Sequence, residues 1–135
     1  MDRLFLDSNV LFSAAYLPSS NLRKLWELND VELITSGHAA SEAYRNLTVK
    51  QPDRFGDLAN LMKALRLVPD VTAASSGRIA SLLPPKDRPI LQAAIAAQAT
   101  HLLTGDRRHF GSLYGQRYDR VRIVPPGEYI RGRPA

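Results

Sequence analysis

Short unbroken apolar runs alternate along this chain with longer stretches in which apolar residues recur every three or four positions. The first run, Leu4-Phe5-Leu6 within 3–7, shows no polar alternation, which predicts a strand buried on both faces of a parallel sheet. Apolar helical material follows over 10–15, Pro18-Ser19-Ser20 punctuates it, and Ser20 or Asn21 can cap a second helix bearing Leu22, Leu25, Trp26 and Leu28. A second strand is predicted over 31–35. Gly37 and His38 then lead into a helix carrying Ala39, Ala40, Ala43 and Leu47, on which Glu42 lies.

Gln51-Pro52-Asp53 opens the next helix, whose Phe55, Leu58, Leu61, Met62 and Leu65 form one apolar face. A third strand is predicted over 67–71 and a helix over 75–83, stopped by Pro84-Pro85. The alanine-rich stretch 90–99 reads as a helix able to pack closely on a sheet, and strands are predicted over 101–103 and 121–124. Strands alternating with helices predict an α/β fold: a mainly parallel central sheet of about five strands flanked by helices. With no repeat, low-complexity tract or linker, residues 1–135 are expected to form a single domain.

The absence of cysteine excludes a disulfide framework and any thiolate metal site or nucleophile. The N-terminus lacks a long apolar core after a basic region, and no segment is long and apolar enough to cross a bilayer, so a soluble cytoplasmic protein without a membrane partner is expected. Charge narrows the picture further. The net charge is +5, and from Gly105 onward seven arginines face three acids, so most of the excess sits in the last stretch. A basic arm beside an acidic pocket suits a polyanion held by its backbone; charge alone is equally compatible with a basic, soluble surface.

The candidate chemistry lies in four acids at element junctions: Asp7 after the first strand, Glu42 in a helix, Asp87 after Pro84-Pro85, and Asp106 after the fourth strand. Asp7 and Asp106 both follow strands, at the sheet edge where α/β proteins bind ligands. If the four converge, they would repel unless protonated or bound to a divalent cation, and Mg²⁺ or Mn²⁺ prefers oxygen donors. Each acid also has a local reading: Asp7 as a helix cap, Asp87 as an acid complementing a helix dipole, Asp106 as a turn residue, and Glu42 as a solvated helix residue. Ser8 and Asn9 are equally able caps, which would leave the Asp7 carboxylate free. Asn9 and Thr104 are candidate supporting polar residues, and Lys86, Arg88, Arg107 and Arg108, which flank two of the acids, are candidates for gripping phosphates. His38, His101 and His109 lack zinc-site spacing and are read as structural or surface residues. Trp26 and the five tyrosines form no spaced stacking platform and are assigned to packing.

FLDSNVLFSA, SEAYRNL and KDRPILQAAIAAQATHLLTGDRRHFG, in that order, resemble the PIN-domain ribonucleases, in the small format of VapC-type toxins of prokaryotic toxin–antitoxin pairs. The resemblance spans Arg3 to about Val124. It implies a Mg²⁺- or Mn²⁺-dependent endoribonuclease with Asp7, Glu42, Asp87 and Asp106 as catalytic and metal-site acids, supported by Asn9 and Thr104. Its implied partners are an RNA substrate, a cognate antitoxin and a second copy of the chain. Many relatives carry a further acid or amide after the fourth carboxylate, whereas Arg107, Arg108, His109 and Phe110 follow here, which favours a single metal. The implied mechanism has Asp7 and Asp106 holding the cation, with Asp87 and Glu42 completing its shell or acting through water. Alternatives are an inactive PIN-like domain that binds RNA or protein, and a PIN ribonuclease of RNA processing rather than a toxin. An aspartate-nucleophile phosphatase would need a second Asp where Asn9 stands.

Overall fold

In the computed structural model, described for residues 1–71 and 82–133, six strands form one sheet. Strand β1 (Asp2–Leu6) is followed by helix α1 (Ser8–Tyr16), a 3₁₀ segment (Asn21–Glu27), β2 (Val31–Ser36), α2 (Gly37–Lys50), α3 (Phe55–Met62) and β3 (Arg66–Val68). After the undescribed stretch come α4 (Arg88–Ala96), β4 (His101–Leu103), the short α5 (Arg107–Phe110), β5 (Arg117–Tyr118), β6 (Val121–Val124) and α6 (Pro126–Arg131). The helix expected over 75–83 lies mostly outside the described residues.

The strand order is β3-β2-β1-β4-β6-β5, with all pairings parallel except β5 with β6. The chain builds outward from β1 through β2 to β3, then returns to β4 on the other side of β1. The order therefore reverses between β1 and β4, and a crevice opens at their carboxyl ends, where α/β sheets place ligands. Asp7 N donates to Leu103 O at 3.1 Å, carrying the β1–β4 ladder up to that crevice.

The unbroken apolar run of β1 is explained by burial on both faces. Phe5 joins a core layer with Ile34, Leu91, Leu102, Phe110 and Ile123, while Leu4 and Leu6 join the opposite layer with Val10, Leu11, Leu33, Leu47, Leu58 and Leu103. Side chains alternate faces along a strand, so two layers share one strand. Each fully buried leucine or phenylalanine contributes about 1.5–3 kcal/mol over its exposed state.

Several local expectations shift. The segment after Ser20 is a 3₁₀ helix rather than an α-helix, with Ser20 Oγ accepting from Leu22 N at 3.3 Å. Strand β3 starts at Arg66 and is three residues long, against the expected 67–71. Helix α4 begins and ends earlier than 90–99, and Gln98, at φ 58°, turns the chain out of it in the left-handed region usually filled by glycine. The sixth strand, β5, is a two-residue antiparallel edge joined to β6 by Asp119-Arg120, both at positive φ, the geometry of a tight two-residue hairpin.

Candidate metal centre

Asp7 ends β1 and is itself the N-cap of α1: its Oδ1 accepts from Ser8 N at 2.7 Å. Of the three caps the sequence offers, Asp7, Ser8 and Asn9, the structure uses Asp7, whose second oxygen remains for other partners. That oxygen, Oδ2, accepts from Thr104 Oγ1 at 2.8 Å and from Asn9 Nδ2 at 3.1 Å. Asn9 and Thr104 are thus tied to Asp7 directly, and Asn9 Nδ2 also lies 3.2 Å from Thr104 Oγ1.

The loop after β4 is locked to the same network. Gly105 N donates to Asn9 Oδ1 at 2.6 Å, and Asp106 N donates to Thr104 Oγ1 at 3.2 Å. A Cβ at residue 105 would sit 3.3 Å from Asn9 Oδ1, so glycine permits the close approach of loop and helix. Thr104 is fully buried and Asp7 nearly so, at 4% exposure. Burial pushes the Asp7 carboxyl up to about 6; the hydrogen bonds from Thr104 and Ser8 restrain the rise, and the Glu42 charge adds to it.

Asp106 caps α5, its Oδ1 accepting from His109 N at 3.2 Å while Oδ2 lies 3.0 Å from His109 Nδ1. Asp87 stands at the N-cap position of α4 but makes no side-chain capping bond, so helix capping does not account for it. Its Oδ2 lies 3.1 Å from the same His109 Nδ1. Despite that approach, Asp87 Oδ2 is buried without a hydrogen-bond partner. Burial raises the Asp87 carboxyl, as do the charges of Asp106 and Glu42, against the lowering effect of His109 and Lys86. Among the described residues, Asp87, Asp106 and His109 place one donor atom each within 4.8 Å of one another.

Glu42 reaches the site from α2. Its carboxylate is part-exposed and 3.9 Å from His38 Nε2, and its charge raises both Asp7 and Asp87. The first turn of α2 is held by Ser36 Oγ, which accepts from Ala39 N at 3.2 Å, and by Asp70 Oδ1, which accepts from His38 N at 2.7 Å. Charge therefore couples Glu42 to Asp7 and to Asp87, and Asp106 to Asp87. Asp7 and Glu42 stand outside the tight group formed by Asp87, Asp106 and His109.

A model of the PIN domain matches residues 3–108, most of the chain. The chain belongs to the PIN domain family. No curated protein matches its sequence. Solved structures share the fold: a chain of VapBC2 from Rickettsia felis, solved bound to a DNA fragment from its promoter, is 14% identical with a TM-score of 0.64, covering 91% of this chain and 98% of that one. VapC20 from Mycobacterium tuberculosis, a sarcin–ricin loop cleaving toxin, is 9% identical with a TM-score of 0.59 over 86% and 97% of the two chains. FitAcB from Neisseria gonorrhoeae is 17% identical with a TM-score of 0.56 over 92% and 98%.

Within this PIN fold the residue that sequence reasoning missed is His109. Its spacing from His38 and His101 carries no zinc signal; the signal that does point to it is its place one helical turn after Asp106, which puts both side chains on one face. Of the expected phosphate-gripping residues, Arg107, Arg108 and Lys86 are exposed beside the acids, while Arg88 is half-buried and donates to Leu83 O at 2.9 Å. The residues present fit a hard divalent cation: the donors are mainly carboxylate oxygens, one of them buried without a hydrogen bond, and burial penalises the charge of Asp7 and Asp87. Among the described residues no helix is long and apolar enough to cross a membrane.

Proposed function

We propose that this PIN domain is a divalent-metal-dependent endoribonuclease, acting as the toxin of a toxin–antitoxin pair. Asp7, Glu42, Asp87 and Asp106 would hold Mg²⁺ or Mn²⁺, and Asn9 and Thr104 keep Asp7 aimed. The observation that carries this reading is a buried Asp7, clasped by three donors, in the same crevice as an Asp87 oxygen that has none. A protein carries such a cost when a ligand offsets it.

When bound, the cation supplies Lewis-acid polarisation of a phosphoryl oxygen and makes water a better nucleophile near neutral pH. The chain supplies the rest. Asn9 and Thr104 fix the Asp7 carboxylate by hydrogen bonds made before substrate arrives, so no reorganisation is needed during reaction. Asp87 Oδ2, lacking a donor, would be open to the cation. The water oxygen would form a bond to phosphorus in line as the opposite ester bond breaks, giving up its proton to solvent while the departing oxygen takes one from solvent. Arg107, Arg108 and Lys86 hold neighbouring phosphates, with Arg88 a lesser contributor.

The solved relatives include proteins described as VapBC and FitAcB, which supports a cognate antitoxin as partner. Such a partner would neutralise the site by presenting a cation to the acidic crevice. A second copy of the chain completes the expected assembly. The deciding experiment is RNA cleavage in Mg²⁺ or Mn²⁺ by the native chain and by Asp7→Asn. Cleavage by the native chain alone supports the proposal; equal turnover by both overturns it.

A further inference from the structure

His109 is the least expected member of the crevice. Its Nδ1 stands 3.0 Å from Asp106 Oδ2 and 3.1 Å from Asp87 Oδ2, and the three atoms belong to one group within 4.8 Å. Adjacent donors around a six-coordinate cation with ligands at about 2.1 Å stand about 3 Å apart. The spacing of the imidazole nitrogen from each carboxylate oxygen already matches that separation. Hydrogen bonding accounts for the contact with Asp106 Oδ2, whereas Asp87 Oδ2, at nearly the same distance, is left without a hydrogen-bond partner. With its proton on Nε2, the ring would turn a lone pair at Nδ1 toward the point between the carboxylates.

The local build holds the ring there without depending on its chemistry. His109 follows Asp106 by three residues in α5, and its backbone N–H, not its side chain, is capped by Asp106 Oδ1. Phe110, next in sequence, is fully buried and anchors the short helix in the core.

We infer that His109 is a direct nitrogen ligand of the metal, joining Asp87 and Asp106, and that this mixed nitrogen–oxygen set makes the centre favour Mn²⁺ over Mg²⁺. Both ions suit carboxylate oxygens, but Mg²⁺ keeps to oxygen donors and holds its waters tightly, whereas Mn²⁺ belongs to the first-row series whose members accept nitrogen donors. The inference rests on the metal-nuclease reading and narrows it: the four acids alone would make an all-oxygen site with little preference.

The test uses the full chain without RNA. Pulsed electron paramagnetic resonance of the Mn²⁺-loaded protein reads nitrogen coupling at the metal, and calorimetry reads affinity for Mn²⁺ and Mg²⁺. The native chain should show ¹⁴N coupling. His109→Gln, which replaces nitrogen by an oxygen donor and leaves the backbone cap of Asp106 in place, should lose it, with Mn²⁺ affinity falling about tenfold and Mg²⁺ affinity changing less than about twofold. His38→Gln should keep the coupling, which separates the ring beside Glu42 from the ring between the aspartates. Saturable Mn²⁺ binding without nitrogen coupling, coupling that survives His109→Gln, or coupling lost with His38 instead overturns the inference and leaves the metal-nuclease reading standing. No saturable binding of either ion overturns both.

Discussion

Thr104 Oγ1 donates a 2.8 Å hydrogen bond to Asp7 Oδ2, joining residues 97 apart in sequence at the ends of adjacent parallel strands. Thr104 also accepts from Asn9 and from the backbone of Asp106, so one fully buried hydroxyl orients an acid, an amide and the start of the loop that carries another acid. Thr104→Val keeps the shape and removes the hydroxyl. It should destabilise the chain by about 1–3 kcal/mol in urea unfolding, because the Asn9 amide and Asp106 N–H lose a buried acceptor. Thr104→Ser should recover most of the loss; full stability in the valine variant would show that the hydroxyl organises nothing.

Asp7→Asn is expected to fold and to lose cleavage by about 10²–10³-fold, the scale of removing one preorganised electrostatic partner. In the absence of metal at pH 7 it should be at least as stable as the native chain, since it removes a buried charge. Circular dichroism and urea unfolding check the fold, and a fluorescent RNA substrate checks turnover.

The raised carboxyl of Asp7 sets a pH dependence with a definite sign. Its folded value of about 6 exceeds the ordinary 3.8, so the folded chain holds this proton more tightly than the unfolded one. The stabilising contribution is fully present below 3.8 and is lost as pH rises through about 6, a change of about 3 kcal/mol. The metal-free native chain should therefore lose stability relative to Asp7→Asn between pH 4 and 7 (on the order of that window). Parallel urea titrations of the two proteins read the difference, and a constant gap across pH would refute the assignment.

Metal should reverse that loss. Mn²⁺ at about one hundred times its dissociation constant stabilises the folded chain by about 2.7 kcal/mol, and EDTA should return it to the metal-free value. The same addition to Asp7→Asn should give a smaller shift of the thermal midpoint. Equal shifts in both proteins would remove Asp7 from the metal site.

Arg107 and Arg108 lie exposed beside Asp106. If each holds a phosphate, Arg107→Ala and Arg108→Ala should each weaken RNA binding and flatten the slope of log affinity against log salt by roughly 0.7, as for single strands. A control far from the crevice is Tyr129→Phe. Tyr129 Oη donates to Asp2 Oδ2 at 2.6 Å and accepts from Arg133 at 2.7 Å, so its loss should lower stability by about 1–2 kcal/mol and leave cleavage unchanged.

The α/β architecture was legible in the chain because its signals are local. Leu4-Phe5-Leu6 is apolar without alternation since both faces of β1 are covered, and the position of Asp7 and Asp106 directly after strands already assigns both acids to one sheet edge. The β5–β6 hairpin was not legible: Asp119 and Arg120 take positive φ with no glycine between the strands to announce the turn. The same holds for the exit of α4 at Gln98, where the tertiary setting overrides local preference.

For the centre, residue type and position in sequence nominated Asp7, Glu42, Asp87 and Asp106, because carboxylates after strands and at helix starts are visible one by one. Which oxygens are clasped and which are left without a donor was decided only when β1 and β4 came side by side and α4 met α5. Asp7 is held by a threonine from the far end of the chain, and His109 stands between two aspartates from different elements. Hydrogen bonds and ligand geometry depend on distances of about 3 Å between atoms. Sequence specifies such distances only through the packing of the whole fold.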